Sequence, residues 1–174
     1  VGIDPSANVL ENPLLDEREQ TGIEGYRARE PFDLVTLRMV VEHVPDPQAC
    51  VAAIAQNARP GGVVVVYTPH KYSLLSIASA LVPQRAHHAL KSRLWGTEER
   101  DTFPAFYRMN TPGMLRRLFE AGGFRTLAMW LLDDATVFHS RPRLGPAELA
   151  FWSLTRRLRL PYPERNILAV FERA

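Results

Sequence analysis

The hydrophobic positions of this chain alternate between short runs typical of buried strands and segments with helical spacing. Residues 63–68 are a continuous run of β-branched and aromatic side chains, which predicts a central strand buried on both faces. Other apolar runs bounded by turn residues predict further strands, over residues 1–4, 31–38, 124–132 and 166–173.

Helix signals separate these strands. Asp46 followed by Pro47 predicts the N-cap and first turn of a helix, and Thr111 followed by Pro112 predicts a second start of the same kind. A Gly-Gly pair follows each of these helices and marks where it ends. Apolar segments predict two more helices, over residues 73–82 and 146–158.

Strands that alternate with helices predict an α/β fold with a mostly parallel sheet covered on both faces. No repeat or linker divides residues 1–174, so we expect a single domain. Two stretches are predicted insertions: a lid-like one over about residues 84–110, rich in charge and aromatics, and a helical one over about residues 134–160.

Composition excludes several classes of function. A content of 46% hydrophobic and 23% charged residues fits an ordinary globular domain, and a net charge of +2 gives no reason to expect a nucleic-acid partner. No apolar run reaches the roughly 18 residues of a membrane span. The single cysteine, Cys50, favours a reducing compartment, so we expect a cytoplasmic protein. The acidic run at residues 98–101 lacks ligand spacing, so no metal site is expected.

The first strand ends on a carboxylate, Asp4. In a doubly wound α/β fold, an acidic residue at such a strand end binds the two ribose hydroxyls of a nucleotide cofactor. The Gly-rich turn that should come about 20 residues earlier is not in the chain. Asp4 followed by Pro5 and Ser6 also suits a turn cap, so the sequence leaves both roles open.

Short motifs follow one another in a characteristic order. They are Gly2-Ile3-Asp4-Pro5-Ser6, Phe32-Asp33-Leu34-Val35, Val41-Glu42-His43-Val44, Arg59-Pro60-Gly61-Gly62 with Thr68-Pro69, and Leu118-Phe119-Glu120-Ala121-Gly122-Gly123-Phe124. In order and spacing, this set resembles the class I S-adenosylmethionine-dependent methyltransferases, near the ubiquinone-biosynthesis branch. The resemblance covers roughly residues 1–132.

The resemblance implies a Rossmann-like, doubly wound sheet of seven strands whose last strand is antiparallel. It also implies that the strand carrying the Gly-rich turn lies between the strands ending at Asp4 and starting at Phe32. That strand and its helix are absent from this chain, so we expect either a longer natural protein, which we favour, or direct pairing of the two flanking strands.

S-adenosylmethionine is the cofactor that the resemblance implies, with Asp4 as its ribose ligand. In related enzymes, a loop before the Phe32 strand supplies an acidic side chain to the adenine amino group and an apolar neighbour to its ring. Here Gly22 stands in the acidic position, so Ile23 is expected to cover the adenine and Glu24 to accept from it.

The resemblance places Arg38, Met39 and Val40 along the methionine part of the cofactor. His43 belongs to the Glu-His pair of the family, with either an orienting hydrogen bond or a proton-transfer role. His70 follows the central strand and is either a general base, since histidine titrates near neutral pH, or a solvated loop residue. Without the Gly-rich backbone cradle, we expect residues 1–174 to bind S-adenosylmethionine weakly.

The resulting prediction is methyl transfer from S-adenosylmethionine to a small-molecule acceptor by in-line displacement. Apolar segment 74–82 and the nearby aromatics favour an apolar or aromatic acceptor, and the helix containing Phe151 and Trp152 suits either the sheet or peripheral contact with a membrane. The alternative is a non-catalytic methyltransferase-like homologue acting as a binding or partner subunit. A nicotinamide dehydrogenase fits the motifs poorly.

Overall fold

The fold is known from a computed structural model, which describes residues 1–73, 76–77, 103–132, 144–158 and 166–174. The strands are β1 (Gly2–Ile3), β2 (Arg18–Glu19), β3 (Phe32–Arg38), β4 (Ala58–Pro69), β5 (Phe124–Leu132) and β6 (Asn166–Arg173). The helices are α1 (Pro47–Asn57), α2 (Pro112–Ala121) and α3 (Leu144–Arg157). None of the described helices is long and apolar enough to cross a membrane.

Four strands form the main sheet, in the order β3-β4-β6-β5. β3 and β4 are parallel, whereas β6 runs antiparallel to both β4 and β5. The predicted α/β class with an antiparallel last strand is confirmed. β1 pairs in parallel with β2 in a separate two-stranded sheet, and no described strand pairs with the other edge of β3. The direct pairing of β1 with β3 is therefore not observed.

The central strand β4 alternates between two environments. Val64, Val66 and Thr68 are buried on the face that supports the core, while the residues between them are only half-buried. The strand starts at Ala58, five residues before the predicted start, because the pairing with β3 continues across a register shift between Phe32 and Leu34. In the sequence analysis, the residues between Ala58 and Val63 are interpreted only as the end of the preceding helix.

The predicted helix starts are confirmed in atomic detail. The Asp46 carboxylate accepts from the backbone N–H groups of Gln48 and Ala49 at 3.1 and 3.0 Å. The Thr111 hydroxyl accepts from the N–H of Met114 at 3.2 Å. Helix α3 starts two residues before its predicted bound. Most of the predicted 73–82 helix, residues 84–102 of the predicted lid and much of the helical insertion lie outside the described residues.

The core lies between α1, α2 and one face of the main sheet. Phe119 of α2 stacks on Phe171 of β6 with ring centroids 4.0 Å apart, and its edge meets Phe124 of β5 at 5.3 Å. Each fully buried side chain of this size contributes roughly 1.5–3 kcal/mol. This packing joins α2 to β5 and β6 on one face of the main sheet.

Candidate functional site

A cleft of about 360 Å³ opens at the carboxyl end of β1. Its walls include Asp4, Ser6, Leu15 and, from a distant part of the chain, Phe103. A volume of several hundred Å³ is within the range of small-molecule sites. The cleft therefore combines one carboxylate with apolar surface, which is the combination that a nucleoside requires.

The two oxygens of the Asp4 carboxylate have different surroundings. Oδ1 accepts from the backbone N–H of Ser6 at 2.7 Å, so the turn-cap role is real. Oδ2 has no hydrogen-bond partner among the described residues. The backbone N–H of Asp4 donates to the Glu19 carbonyl at 3.4 Å, which ties the end of β1 to β2. One oxygen thus holds the turn, and the other can accept from a ribose hydroxyl.

The residues predicted to contact the adenine lie outside the Asp4 cleft. Ile23 packs against the hydrophobic core, and neither Ile23 nor Glu24 lines the Asp4 cleft. The backbone carbonyl of Glu24 accepts from Arg27, and its carboxylate is near Cys50, whose pKa burial raises to about 12 with a smaller contribution from Glu24. The Gln20 side chain donates a hydrogen bond to the Pro5 carbonyl at 3.1 Å, which holds the segment after β2 next to the turn after β1.

Arg38, Met39 and Val40 follow the carboxyl end of β3. Met39 has φ of +54°, a conformation that non-glycine residues rarely adopt, and its N–H donates to the Tyr67 carbonyl at 2.8 Å. This bend leaves the Met39 and Val40 side chains 41% and 38% exposed. Apolar side chains held at the carboxyl edge of the sheet are suited to contact a ligand.

His43 ends the 3-10 turn Val41–His43 that follows this bend. Its Nδ1 lies 3.0 Å from the Pro104 carbonyl oxygen. Because a carbonyl oxygen only accepts, Nδ1 carries the proton, and the lone pair of the neutral ring is on Nε2. The ring of Phe103 meets the imidazole edge-on, with centroids 6.0 Å apart.

His70, which follows β4, is buried and 7% exposed. Its Nδ1 accepts from the backbone N–H of Tyr72 at 3.1 Å, so the neutral ring carries its proton on Nε2. Burial lowers the pKa of His70. The lone pair that a general base would use is already engaged, so the proton-transfer role of His70 stays a prediction.

A buried polar network joins the carboxyl ends of β3 and β4, and the sequence analysis missed it. Thr68 donates its hydroxyl to the Glu42 carboxylate at 3.0 Å. Asn110 donates to the Thr68 hydroxyl at 2.6 Å and to the Pro69 carbonyl at 3.3 Å. Burial raises the pKa of Glu42, against the smaller influence of its hydrogen bonds and of His43. Of its three side chains, only Glu42 and Thr68 belong to motifs that the sequence analysis recognised.

Residues 103–110, called here the return segment, lie across these strand ends. The Glu42 carbonyl accepts from the N–H groups of Phe106 and Tyr107 at 2.7 and 3.2 Å. Arg108 donates to the Pro45 carbonyl, next to the same turn. Together with the hydrogen bonds of Asn110, these contacts anchor the return segment, whose first residue, Phe103, lines the Asp4 cleft.

Comparisons with known proteins identify the family of this chain. Residues 1–129 match the family described as a methyltransferase domain. The ubiquinone biosynthesis O-methyltransferase of Ralstonia nicotianae is 36% identical over 92 residues, which cover 47% of this chain and 39% of that protein. The enzyme of the same name from Aeromonas salmonicida is 31% identical over 141 residues, covering 78% of this chain and 51% of that protein.

The fold has solved counterparts as well. The S-adenosylmethionine-dependent methyltransferase of Mesorhizobium loti has a TM-score of 0.59 at 16% identity, over 99% of this chain and 79% of that one. The chain spans from 39% to 51% of the length of the two curated relatives. Since the family match covers most of the sequence, this chain belongs to the methyltransferase-domain family, among the class I S-adenosylmethionine-dependent methyltransferases near the ubiquinone-biosynthesis branch.

Proposed function

We propose that this chain serves S-adenosylmethionine-dependent methyl transfer and that its Asp4 cleft holds the nucleoside half of the cofactor. The observation that carries the proposal concerns Asp4, which lines the cleft and whose carboxylate oxygen Oδ2 has no hydrogen-bond partner among the described residues. A carboxylate accepts hydroxyl hydrogen bonds with charge assistance, which makes them stronger than neutral ones. Ribose, with two adjacent hydroxyls, suits such a group.

The methionine half of the cofactor has weaker support from this chain. Arg38, Met39 and Val40 are the residues that would line it, at the carboxyl end of β3. No Gly-rich turn occurs in residues 1–174 to surround a carboxylate with backbone N–H groups. We therefore expect residues 1–174 to bind S-adenosylmethionine more weakly than micromolar, with most of the affinity from the nucleoside.

When bound, S-adenosylmethionine supplies a methyl group already activated by its sulfonium. The chain has to orient the acceptor and exclude water, and positioning alone can lower a barrier by roughly 7–11 kcal/mol. His43 is the better placed of the two predicted histidines to take a proton from the acceptor, because its Nε2 lone pair has no described donor. His70 has a positioning role, fixing the turn after β4.

We further propose a small apolar or aromatic acceptor whose hydroxyl oxygen receives the methyl group. The curated relatives are named as O-methyltransferases of ubiquinone biosynthesis, which supports an oxygen acceptor. Exposed apolar side chains lie on the same edge of the sheet, in Met39, Val40, Tyr72 and Phe106. We place the reaction in the cytoplasm, where the single thiol stays reduced.

Titration with S-adenosylhomocysteine tests the proposal directly. Asp4→Asn keeps the shape of the side chain but removes its charge, and we expect about tenfold weaker binding, the value of one charge-assisted hydrogen bond. Asp33→Asn is the matched control, because Asp33 is an exposed carboxylate paired with Arg59 away from the cleft. Equal affinities for both variants would refute the proposed role of Asp4. No binding at millimolar ligand would support the non-catalytic alternative.

A further inference from the structure

We propose that Phe103 is a further nucleoside-binding residue, whose ring forms the aromatic wall of the Asp4 cleft. This inference rests on the proposed function, because it assigns the ring to the nucleoside that Asp4 holds. Phe103 is the only aromatic residue among the described residues that line the cleft. It is 37% exposed, so part of its surface is available to a ligand.

Contacts with the turn after β3 hold the Phe103 ring in position. The imidazole of His43 meets Phe103 edge-on at 6.0 Å, and the next residue, Pro104, accepts from His43 at 3.0 Å. Glu42 accepts from two backbone N–H groups farther along the return segment. One side chain contact and nearby backbone hydrogen bonds thus restrain the ring.

Such an arrangement suits the chemistry of an adenine nucleoside. The ribose is polar and needs a hydrogen-bond acceptor, which Asp4 supplies, whereas the faces of the base are apolar and stack on aromatic rings. A ring fixed before the ligand arrives loses little conformational freedom on binding, so more of the contact energy appears as affinity. The two walls of the cleft therefore recognise two different parts of one molecule.

His43 has two separate roles in this arrangement. Its Nδ1–H holds the start of the return segment through Pro104, while Nε2 has no hydrogen-bond partner among the described residues. Substitution of Phe103 should therefore weaken nucleoside binding without changing the backbone of the return segment. The hydrogen bonds of Glu42 and Asn110 anchor the other residues of that segment.

The experiment follows the adenine protons of 5′-methylthioadenosine and of S-adenosylhomocysteine by NMR as residues 1–174 are added. Stacking on Phe103 shifts these protons upfield by the ring current, and Phe103→Leu should abolish the shift and weaken binding about tenfold. Phe103→Tyr retains the ring and should restore both. Trp130→Leu is the control, because Trp130 is an exposed aromatic residue of β5 that does not line the cleft.

The outcomes separate this inference from the proposed function. If Asp4→Asn weakens binding while Phe103→Leu leaves the upfield shift and affinity unchanged, the role of Phe103 is wrong and that of Asp4 stands. If neither variant changes binding, or if the unsubstituted chain gives no response at millimolar ligand, both are wrong. Loss of binding in Trp130→Leu equal to that in Phe103→Leu would also overturn the inference.

Discussion

The imidazole of His43 donates its Nδ1–H to the carbonyl oxygen of Pro104, 3.0 Å away and 61 residues later in the chain. This bond joins the turn after β3 to the return segment. It also fixes which ring nitrogen is left with a lone pair, so a single contact defines both the structural and the chemical character of His43.

The Thr68 hydroxyl links two buried polar side chains. Thr68→Val keeps the branched shape but removes the hydroxyl, so the Glu42 carboxylate and the Asn110 amide each lose a partner. We expect the free energy of unfolding to fall by about 2 kcal/mol, measured as a lower urea midpoint at an unchanged slope. Thr36→Val, at an exposed position on β3, should change it by less than about 0.5 kcal/mol. Equal effects at both positions would contradict the network.

Gly62 is required by a close approach of backbone atoms. A Cβ at this position would lie 2.8 Å from the Arg59 carbonyl oxygen and 2.9 Å from that of Phe32. Gly62→Ala should therefore destabilise the protein by about 1–3 kcal/mol, since neither oxygen belongs to a flexible side chain. Gly113 in helix α2 has open space around it, so Gly113→Ala should stabilise by about 0.5 kcal/mol. Thermal unfolding of both variants measures whether each substitution lowers or raises the stability of the protein.

His70 should make stability depend on pH. Burial lowers its pKa in the folded state, so between that value and the ordinary value of about 6.5 the unfolded chain binds more protons. Stability should fall as the pH drops below about 6.5, a loss that His70→Asn reduces because asparagine does not titrate. The measurement is the unfolding free energy at pH 7 and pH 5.

The comparison between variant and unsubstituted chain is needed because Glu42 acts in the opposite direction. Its raised pKa means that the folded state binds the extra proton, so its contribution to stability falls as the pH rises. Subtracting the pH dependence of the unfolding free energy of His70→Asn from that of the unsubstituted chain leaves the contribution of His70. An identical pH dependence for the two proteins would show that His70 is not the buried neutral group described above.

The single cysteine is a probe for the docking of α1. Cys50 is fully buried, and burial raises its pKa to about 12, so almost no thiolate is present at pH 8. Iodoacetamide should label the native chain very slowly and the urea-unfolded chain readily. Rapid stoichiometric labelling without denaturant would show that α1 does not pack on the sheet as described.

The sequence predicts the parts of the fold that depend on neighbouring residues. The end of β3 at Arg38 and the caps at Asp46 and Thr111 are correct, and β3 starts one residue after its predicted start, because turn residues and side-chain acceptors act within a few positions. β2 was missed because its two residues, Arg18 and Glu19, are both charged, and only backbone pairing with β1 makes them a strand.

The candidate site was less predictable, because its contacts join distant parts of the chain. Asp4 follows from its place at a strand end, but the bond from Asn110 to Thr68 spans 42 residues, with no pattern to indicate it. Phe103 was one of several aromatics in a predicted insertion, and only the packing of the return segment brings it to the Asp4 cleft. Ile23 and Glu24 were assigned by resemblance alone, and they lie outside that cleft.

The central claim is that the Asp4 cleft binds the nucleoside of the cofactor, and saturation-transfer NMR on S-adenosylhomocysteine tests it most directly. With residues 1–174 at millimolar ligand, we predict strong saturation of the ribose and adenine protons and weak saturation of the methionine-derived chain. Asp4→Asn should reduce the ribose signal, whereas Asp33→Asn should not. Equal saturation along the whole ligand, or a ribose signal unaffected by Asp4→Asn, would contradict the account.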